Sequence, residues 1–215
     1  GHGQGAGSGA RGSAVQGAAG GSALGRMLRD LGSCAVLCGI LARATPSARD
    51  PVVQKVNVTL GEEALVILAN LCSDLVDSEA HETKAQLLRS GGAPLLLRCL
   101  KSKDDSLILS AAGALQHLTT DVFWAQALYE HGAHQALESL LGARDLRLAR
   151  YASNALQNML IQLRTAPIEN FRRRRAMRVI TECARKMAPE VRRRRQLAKT
   201  DRKMGIRQQL AVDSM

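Results

Sequence analysis

Aromatic residues are nearly absent from this chain, which holds one Trp, two Tyr and two Phe among 215 residues. Hydrophobic residues nevertheless make up 46% of it, so any core must be aliphatic, a composition that suits packing of helices against helices. No stretch approaches twenty uninterrupted apolar residues, and the longest run, about 64–71, contains Asn70. A membrane span is therefore not expected.

A disulfide framework is also missing. The five cysteines are an odd number without regular spacing, and most lie in apolar helical patterns where a free thiol packs as a small hydrophobe. We expect an intracellular, reducing compartment, with the cytoplasm or cytoskeleton first and the nucleus or an organelle matrix as alternatives.

Excess charge is confined to one end of the chain. Residues 1–163 carry 14 basic and 14 acidic residues, whereas residues 164–215 carry 16 basic and 5 acidic ones, a difference that equals the whole net charge of +11. This asymmetry indicates two separate roles in one chain.

The most informative pattern is a repeat with a period of about forty residues. Gly92-Ala93, followed by Leu97 and Leu100, returns as Gly132-Ala133, followed by Leu137 and Leu140. The apolar spacing is helical throughout, which predicts stacked helical units that each contact only their neighbours. We expect an irregular first unit from Leu24, with Gly32 ending its first helix, and later helices that include one capped by Asp105 or Ser106.

The ends differ from the repeats in composition. Residues 1–23 are rich in Gly, Ala and Ser and predict a linker or disordered arm; the lack of an initiator Met suggests a fragment or processed product. We therefore divide the chain into an arm at 1–23, repeats at 24–163 and a basic helical tail at 164–215, whose first helix should end at Pro189.

The repeat residues resemble the armadillo family. The resemblance rests on the two Gly-Ala turns and on the third-helix sequences at 64–71, 114–118 and 155–159. It implies an all-α, armadillo-like α-solenoid of about three repeats, whose third helices line a groove for extended peptides. A related two-helix solenoid is the alternative, because the signature is degenerate.

In armadillo proteins an Asn on the third helix often bonds the backbone of a bound peptide. The resemblance places Asn70 and Asn158 at this position, and His117 replaces the Asn in the middle unit. An amide can donate to and accept from a peptide backbone, but the same residues can instead satisfy backbone groups between repeats. The Trp that import adaptors place four residues earlier is absent, which makes classical import-signal binding doubtful.

Two four-arginine blocks dominate the tail. Like charges repel unless an anion neutralises them, and arginine binds phosphate or carboxylate with a two-pronged geometry. We expect a polyanionic partner, either RNA or an acidic protein surface such as tubulin; a nuclear localisation signal or a solvated face are alternatives. The candidate residues are Arg172, Arg173, Arg174, Arg175, Arg178, Arg185, Lys186, Arg192, Arg193, Arg194, Arg195, Lys199, Arg202, Lys203 and Arg207.

Signatures of catalysis are missing from the sequence. No phosphate loop or nucleophile elbow occurs, and His131 with His134 flanks a turn without the further ligands of a metal site. We therefore expect no enzyme activity, cofactor or metal. The predicted function is a scaffold or adaptor subunit of a larger hetero-complex; the alternatives are a tubulin-associated cytoskeletal or axonemal armadillo protein, and the substrate-binding fragment of a ligase.

Overall fold

The computed structural model describes residues 23–45, residues 50–165, and residues 174–200 except 176, 183, 184, 187, 190, 194 and 198. Among these residues every regular element is helical and no strand occurs. The predicted arm at residues 1–23 therefore lies outside the described residues, apart from residue 23. The three domain boundaries drawn from composition stay predictions.

Up to Thr165 the described residues form nine helices, grouped in three units of three. The first unit contains α1 (23–30), α2 (Ser33–Ala44) and α3 (Pro51–Leu71), the second α4 (Ala80–Arg89), α5 (Gly92–Leu100) and α6 (Asp105–Leu118), and the third α7 (Val122–Glu130), α8 (Ala133–Leu140) and α9 (Leu146–Thr165). The expected three-unit, all-α solenoid is confirmed. The irregularity of the first unit lies in α3, which continues back to Pro51.

A glycine in the left-handed conformation joins the first and second helices of every unit. Gly32, Gly91 and Gly132 have φ values of 72°, 76° and 77°. Glycine is favoured at such positions because a Cβ atom makes a left-handed backbone costly. The repeat of this turn therefore extends to the first unit, where only Gly32 marks it in sequence.

Aspartates begin the longer helices. The carboxylate of Asp50 accepts a hydrogen bond from the Val52 amide at 2.8 Å, and Asp104 accepts from Ser106 and Leu107 at 3.0 Å each. The prediction that Asp105 or Ser106 caps α6 was therefore wrong by one residue or two. Asp104 is the cap because its backbone is extended and lies just before the helix. Its carboxylate can therefore accept hydrogen bonds from the first amides, which have no partner within the helix.

The third helices stack in order, with α6 between α3 and α9. The core is built from Leu and Ala as expected, with one addition: Trp124 is completely buried. Its indole Nε1 donates to the carbonyl oxygen of Lys84 at 2.8 Å and so ties the third unit to the second. Such a bond satisfies the single polar group of a buried indole.

The first and second units are joined by a buried ion pair. The guanidinium of Arg29, on α1, donates to the Asp77 carboxylate at 2.9 Å and to the Thr83 hydroxyl at 3.0 Å. It also bonds Glu79. Asp77 in turn accepts a hydrogen bond from the Glu79 amide at 2.9 Å.

The tail packs against the end of the solenoid. Ile180 and Val191 are buried and belong to the same hydrophobic core as α9. Ala188, Pro189 and Val191 are helical, but residues 187 and 190 lie outside the described residues, so the predicted end of a helix at Pro189 stays a prediction.

Candidate peptide groove and basic tail

A polar depression lies between the second and third of the stacked helices. Its volume is about 280 Å³. All its lining residues come from α6, α9 and the turn after α6, which are the elements predicted to form the groove. They are Gln116, His117, Thr120, Asn154, Gln157 and Asn158.

Asn158 is half-buried in this depression and already uses one side of its amide. Its Nδ2 donates to the backbone carbonyl of Gln116 at 2.8 Å, which is the bond between repeats that the structural alternative anticipated. Among the described residues no hydrogen bond reaches its Oδ1. One donor is therefore committed to the fold, and one acceptor is open toward the groove.

The Gln116 side chain organises the floor of the depression. Its Oε1 accepts from Asn154 Nδ2 at 3.2 Å, and its Nε2 lies 3.3 Å from His117 Nε2. Because an amide nitrogen only donates, the imidazole must accept through Nε2 and carry its proton on Nδ1. Gln116 was not predicted from the sequence as a groove residue, although it recurs as Gln157 in the next unit.

His117 is held neutral by its surroundings. Burial lowers the pKa of this imidazole and the nearby Lys84 ammonium lowers it further, while Asp74 acts in the opposite direction. Lys84 itself is buried, with Nζ at 3.1 Å from both carboxylate oxygens of Asp74 and 2.9 Å from the Thr120 hydroxyl. The groove therefore presents an uncharged histidine beside a paired lysine.

In the second unit the position at which import adaptors carry a Trp is Gly113, and an aromatic ring from the third unit packs over it. A Cβ built on Gly113 would lie 3.5 Å from the ring of Tyr151, so Tyr151 covers the glycine in ordinary contact. The guanidinium of Arg150 lies 5.3 Å from the centre of the same ring, a cation–π distance. The equivalent positions in the other units are Val66, which is exposed, and Asn154, which bonds Gln116.

Asn70 lies at the exposed end of the same row. Its side chain makes no hydrogen bond within the part of the chain that the structure describes, so both its donor and its acceptor groups face solvent. The three groove candidates therefore differ: Asn70 is free, His117 is neutral and half-buried, and Asn158 is half committed.

The described basic residues of the tail are exposed. Their partners are few, since Glu182 accepts hydrogen bonds from Arg185 at 3.1 Å through each carboxylate oxygen and lies 3.9 Å from Lys186. The exposed set comprises Arg174, Arg175, Arg178, Arg185, Lys186, Arg192, Arg193, Arg195 and Lys199. The other candidates lie outside the described residues: Arg172, Arg173, Arg194, Arg202, Lys203 and Arg207.

No metal site is found among the described residues, where no group of three or more His, Cys, Asp or Glu side chains converges. His134 is instead buried and stacks on Tyr129 with ring centres 4.6 Å apart. Nor is any described helix long and apolar enough to cross a membrane.

The four described cysteines are free and buried. Burial raises the pKa of the Cys72 thiol to about 12 and that of Cys99 to about 11. These groups therefore act as core residues in this fold.

Comparison with known proteins identifies the repeat. The armadillo/beta-catenin-like repeat family matches residues 81–120, which run from the start of α4 to the turn after α6 and so coincide with the second unit. Over these residues the chain is similar to the armadillo-repeat family. The resemblance seen in the sequence is thereby confirmed, and with it a scaffold suited to binding other proteins.

Two of the solved structures that match are engineered or designed molecules. A designed armadillo repeat protein in complex with the peptide (KR)4 matches with a TM-score of 0.52 and 17% identity over 82% of this chain and 81% of its own. An engineered protein matches with a TM-score of 0.52 and 20% identity over 77% of this chain, which spans 40% of that protein's length. At these identities the likeness shows the fold alone. A search of curated protein sequences found no match.

Proposed function

We propose that this protein is a non-enzymatic scaffold or adaptor with armadillo-like repeats, whose groove binds an extended peptide segment along α3, α6 and α9. The observation that carries the proposal is the row of amide groups left open on the third helices. Asn70 offers a donor and an acceptor, and Asn158 offers an acceptor at Oδ1. An extended peptide needs both kinds of partner for its backbone.

The groove chemistry favours a peptide different from (KR)4. None of the six residues that line the depression carries a carboxylate. The Lys84 ammonium beside the lining residue Thr120 is paired with Asp74, so the depression offers a basic peptide no unpaired carboxylate. We therefore expect a neutral or acidic segment, with an uncharged side chain facing His117.

Alanine substitutions test the groove. Asn70→Ala should weaken capture of protein partners from native extract without lowering the melting temperature, because its side chain is exposed and bonds none of the described residues. Asn158→Ala should weaken capture and also cost about 1 kcal/mol of stability, the net worth of one hydrogen bond. Gln126→Ala on α7 is the matched control. Undiminished capture by Asn70→Ala and Asn158→Ala would contradict the proposal.

For the basic tail we propose binding to a polyanion, which would anchor the scaffold within a larger assembly. This proposal is supported by two features of the tail: all of its described basic residues are exposed, and few carboxylates lie beside them. Substituting Gln throughout Arg172–Arg175 and Arg192–Arg195 should lower the slope of log affinity against log salt by up to about 6 for RNA, since each phosphate contact contributes about 0.7. An unchanged slope would show that the arginines are merely solvated.

A pull-down with and without nuclease separates the two kinds of polyanion. The full chain is compared with a version that ends at Leu163. Tail-dependent partners that disappear with nuclease indicate RNA, and those that survive indicate acidic protein surfaces, with tubulin as the first to examine. If no partner depends on the tail, the anchoring role is wrong.

A further inference from the structure

An aliphatic pocket with a volume of about 420 Å³ lies where the basic tail meets the third unit. Its described lining residues come from α9, from the tail and from the residue after α8, and its aliphatic part is formed by Leu141, Leu156, Leu160 and Val191. Leu141, Leu156 and Val191 are buried and Leu160 is half-buried against the core. The floor of this tail pocket is therefore held in place by the fold itself.

Two arginines of the second basic block line the same pocket. Arg192 and Arg195 are exposed and three residues apart, a spacing that puts both on one side of a helix. Neither makes a hydrogen bond or an ion pair with another described residue. No described lining residue carries a carboxylate. The tail pocket therefore combines an aliphatic floor with positive charge that no described group neutralises.

The tail pocket adjoins the polar depression of the peptide groove. Gln157 lines both cavities. At 100° per residue around α9, Leu156 and Leu160 lie on one side of Gln157, and Asn154 and Asn158 lie on the other. One exposed side chain therefore separates the two cavities, and a peptide in the depression needs little further chain to reach the tail pocket.

The chemistry of the tail pocket favours an acidic peptide over a nucleic acid. A guanidinium binds carboxylate and phosphate alike, but unpaired bases gain much of their affinity by stacking on aromatic side chains. The described lining of the pocket contains no aromatic residue. Its aliphatic floor instead suits an aliphatic side chain, whose apolar surface it can remove from water.

We propose that the tail pocket is a second subsite of the groove and binds a segment in which Asp or Glu stands beside Leu, Ile, Val or Met. Arg192 and Arg195 receive the carboxylate, and the aliphatic side chain rests on the floor. The inference rests on the proposed peptide groove for the path of the peptide. It adds the class of sequence that the partner carries and gives the second arginine block a role in peptide recognition.

Fluorescence anisotropy with the full chain tests the chemistry of the pocket. The probe is a short fluorescein-labelled peptide of alternating Glu and Leu, and two matched peptides carry Gln for every Glu or Ser for every Leu. The probe should bind several-fold more tightly than either, because it alone offers both carboxylates and aliphatic side chains. If the peptide with Ser binds as tightly as the probe, the pocket recognises charge alone and the proposal is wrong.

Paired substitutions in the tail test the two arginines. Arg192→Gln with Arg195→Gln should weaken binding of the probe by up to about tenfold, since each exposed ion pair contributes a few-fold, and should leave the melting temperature unchanged. Arg174→Gln with Arg178→Gln is the matched control, because it removes the same charge from exposed tail residues outside the pocket. In about 0.15 M salt, which screens charges beyond about 8 Å, the control should bind the probe normally. Equal losses in the two variants would contradict the proposal.

Photo-leucine in place of Leu in the probe locates the bound peptide. Crosslinks should fall within residues 153–160 of α9 and residues 188–195 of the tail. Crosslinks confined to other helices would overturn the proposal. So would a labelled oligouridylate that loses affinity when Arg192 and Arg195 are replaced, if the probe loses none.

Failure of this inference is distinguishable from failure of the peptide groove. If Asn70→Ala and Asn158→Ala leave capture of partners undiminished while the probe requires Arg192 and Arg195, the groove is wrong and the tail pocket binds acidic peptides alone. If the two alanine variants weaken capture while replacement of both arginines leaves probe binding intact, the groove stands and the tail pocket is not a subsite.

Discussion

Replacement of Arg29 by Met should be the most damaging single change in the first unit. The methionine retains the length of the aliphatic stem but removes the guanidinium, which holds the Asp77 carboxylate and the Thr83 hydroxyl. The side chains of Arg29 and Asp77 are 4% and 1% exposed. The variant therefore leaves a buried carboxylate that has lost its ion pair and keeps the hydrogen bond from the Glu79 amide.

The expected loss of stability is about 3–5 kcal/mol, the cost of breaking a buried pair by removing one member. For a chain of this size each kcal/mol lowers the melting temperature by about 2–4 °C, so the transition should fall by about 6–20 °C. Circular dichroism of both proteins, with urea unfolding as the second measure, gives this difference.

Two further variants make the reasoning refutable. Arg26→Met removes a guanidinium that bonds the same Glu79 but is 63% exposed, and it should leave the melting temperature nearly unchanged because exposed pairs contribute little. Adding Asp77→Asn to Arg29→Met should recover part of the loss, since the orphaned charge disappears. If Arg29→Met is as mild as Arg26→Met, the buried pair does not join the first two units as described.

Two other variants and one chemical probe extend the account. Gly91→Ala should destabilise the protein by about 1–2 kcal/mol, because its φ of 76° is costly for a residue with a Cβ. Gly39→Ala should stabilise the protein by about 0.5–1 kcal/mol, since Gly39 lies inside α2 and a Cβ there meets open space. Urea unfolding measures both changes, and equal effects of the two variants would contradict these expectations. Cys72, with its thiol pKa at about 12, should resist iodoacetamide at pH 8 in the native protein and react in urea. Rapid native labelling at Cys72 in peptide mass spectra would show that the core opens.

The fold was predictable because the glycines that form the turns recur at regular spacing in the sequence. Gly92-Ala93 and Gly132-Ala133 indicate the period, and aliphatic spacing indicates helices between them. The left-handed glycines are Gly91 and Gly132, so the turn of the second unit lies one residue before the Gly92 that the sequence pattern pairs with Gly132. The cap at Asp104 was misplaced because three polar residues in a row offer similar side chains, and only backbone conformation selects among them. The first unit is less regular than the others, because α3 begins at Pro51, 19 residues before Asn70, whereas α6 and α9 begin 12 residues before His117 and Asn158.

The candidate groove was predictable only in part. The family pattern located Asn70, His117 and Asn158, but the role of each amide depends on neighbours from another unit. Gln116 commits one side of Asn158, and Tyr151 covers Gly113, because adjacent helices bring these residues together across about forty positions of sequence. Contacts of this kind follow from packing and leave no local signal.

Site-specific photo-crosslinking shows whether partners bind in the groove. A benzophenone side chain is placed at Gln157, which is exposed and lines the depression. The control carries it at Gln126 on α7. Each protein is irradiated in native extract. If peptides bind in the groove, position 157 should give a discrete crosslinked product that is absent from position 126 and weakened by Asn70→Ala. Partners that crosslink equally from both positions, or that are captured in full when position 157 gives no product, would contradict binding through the groove.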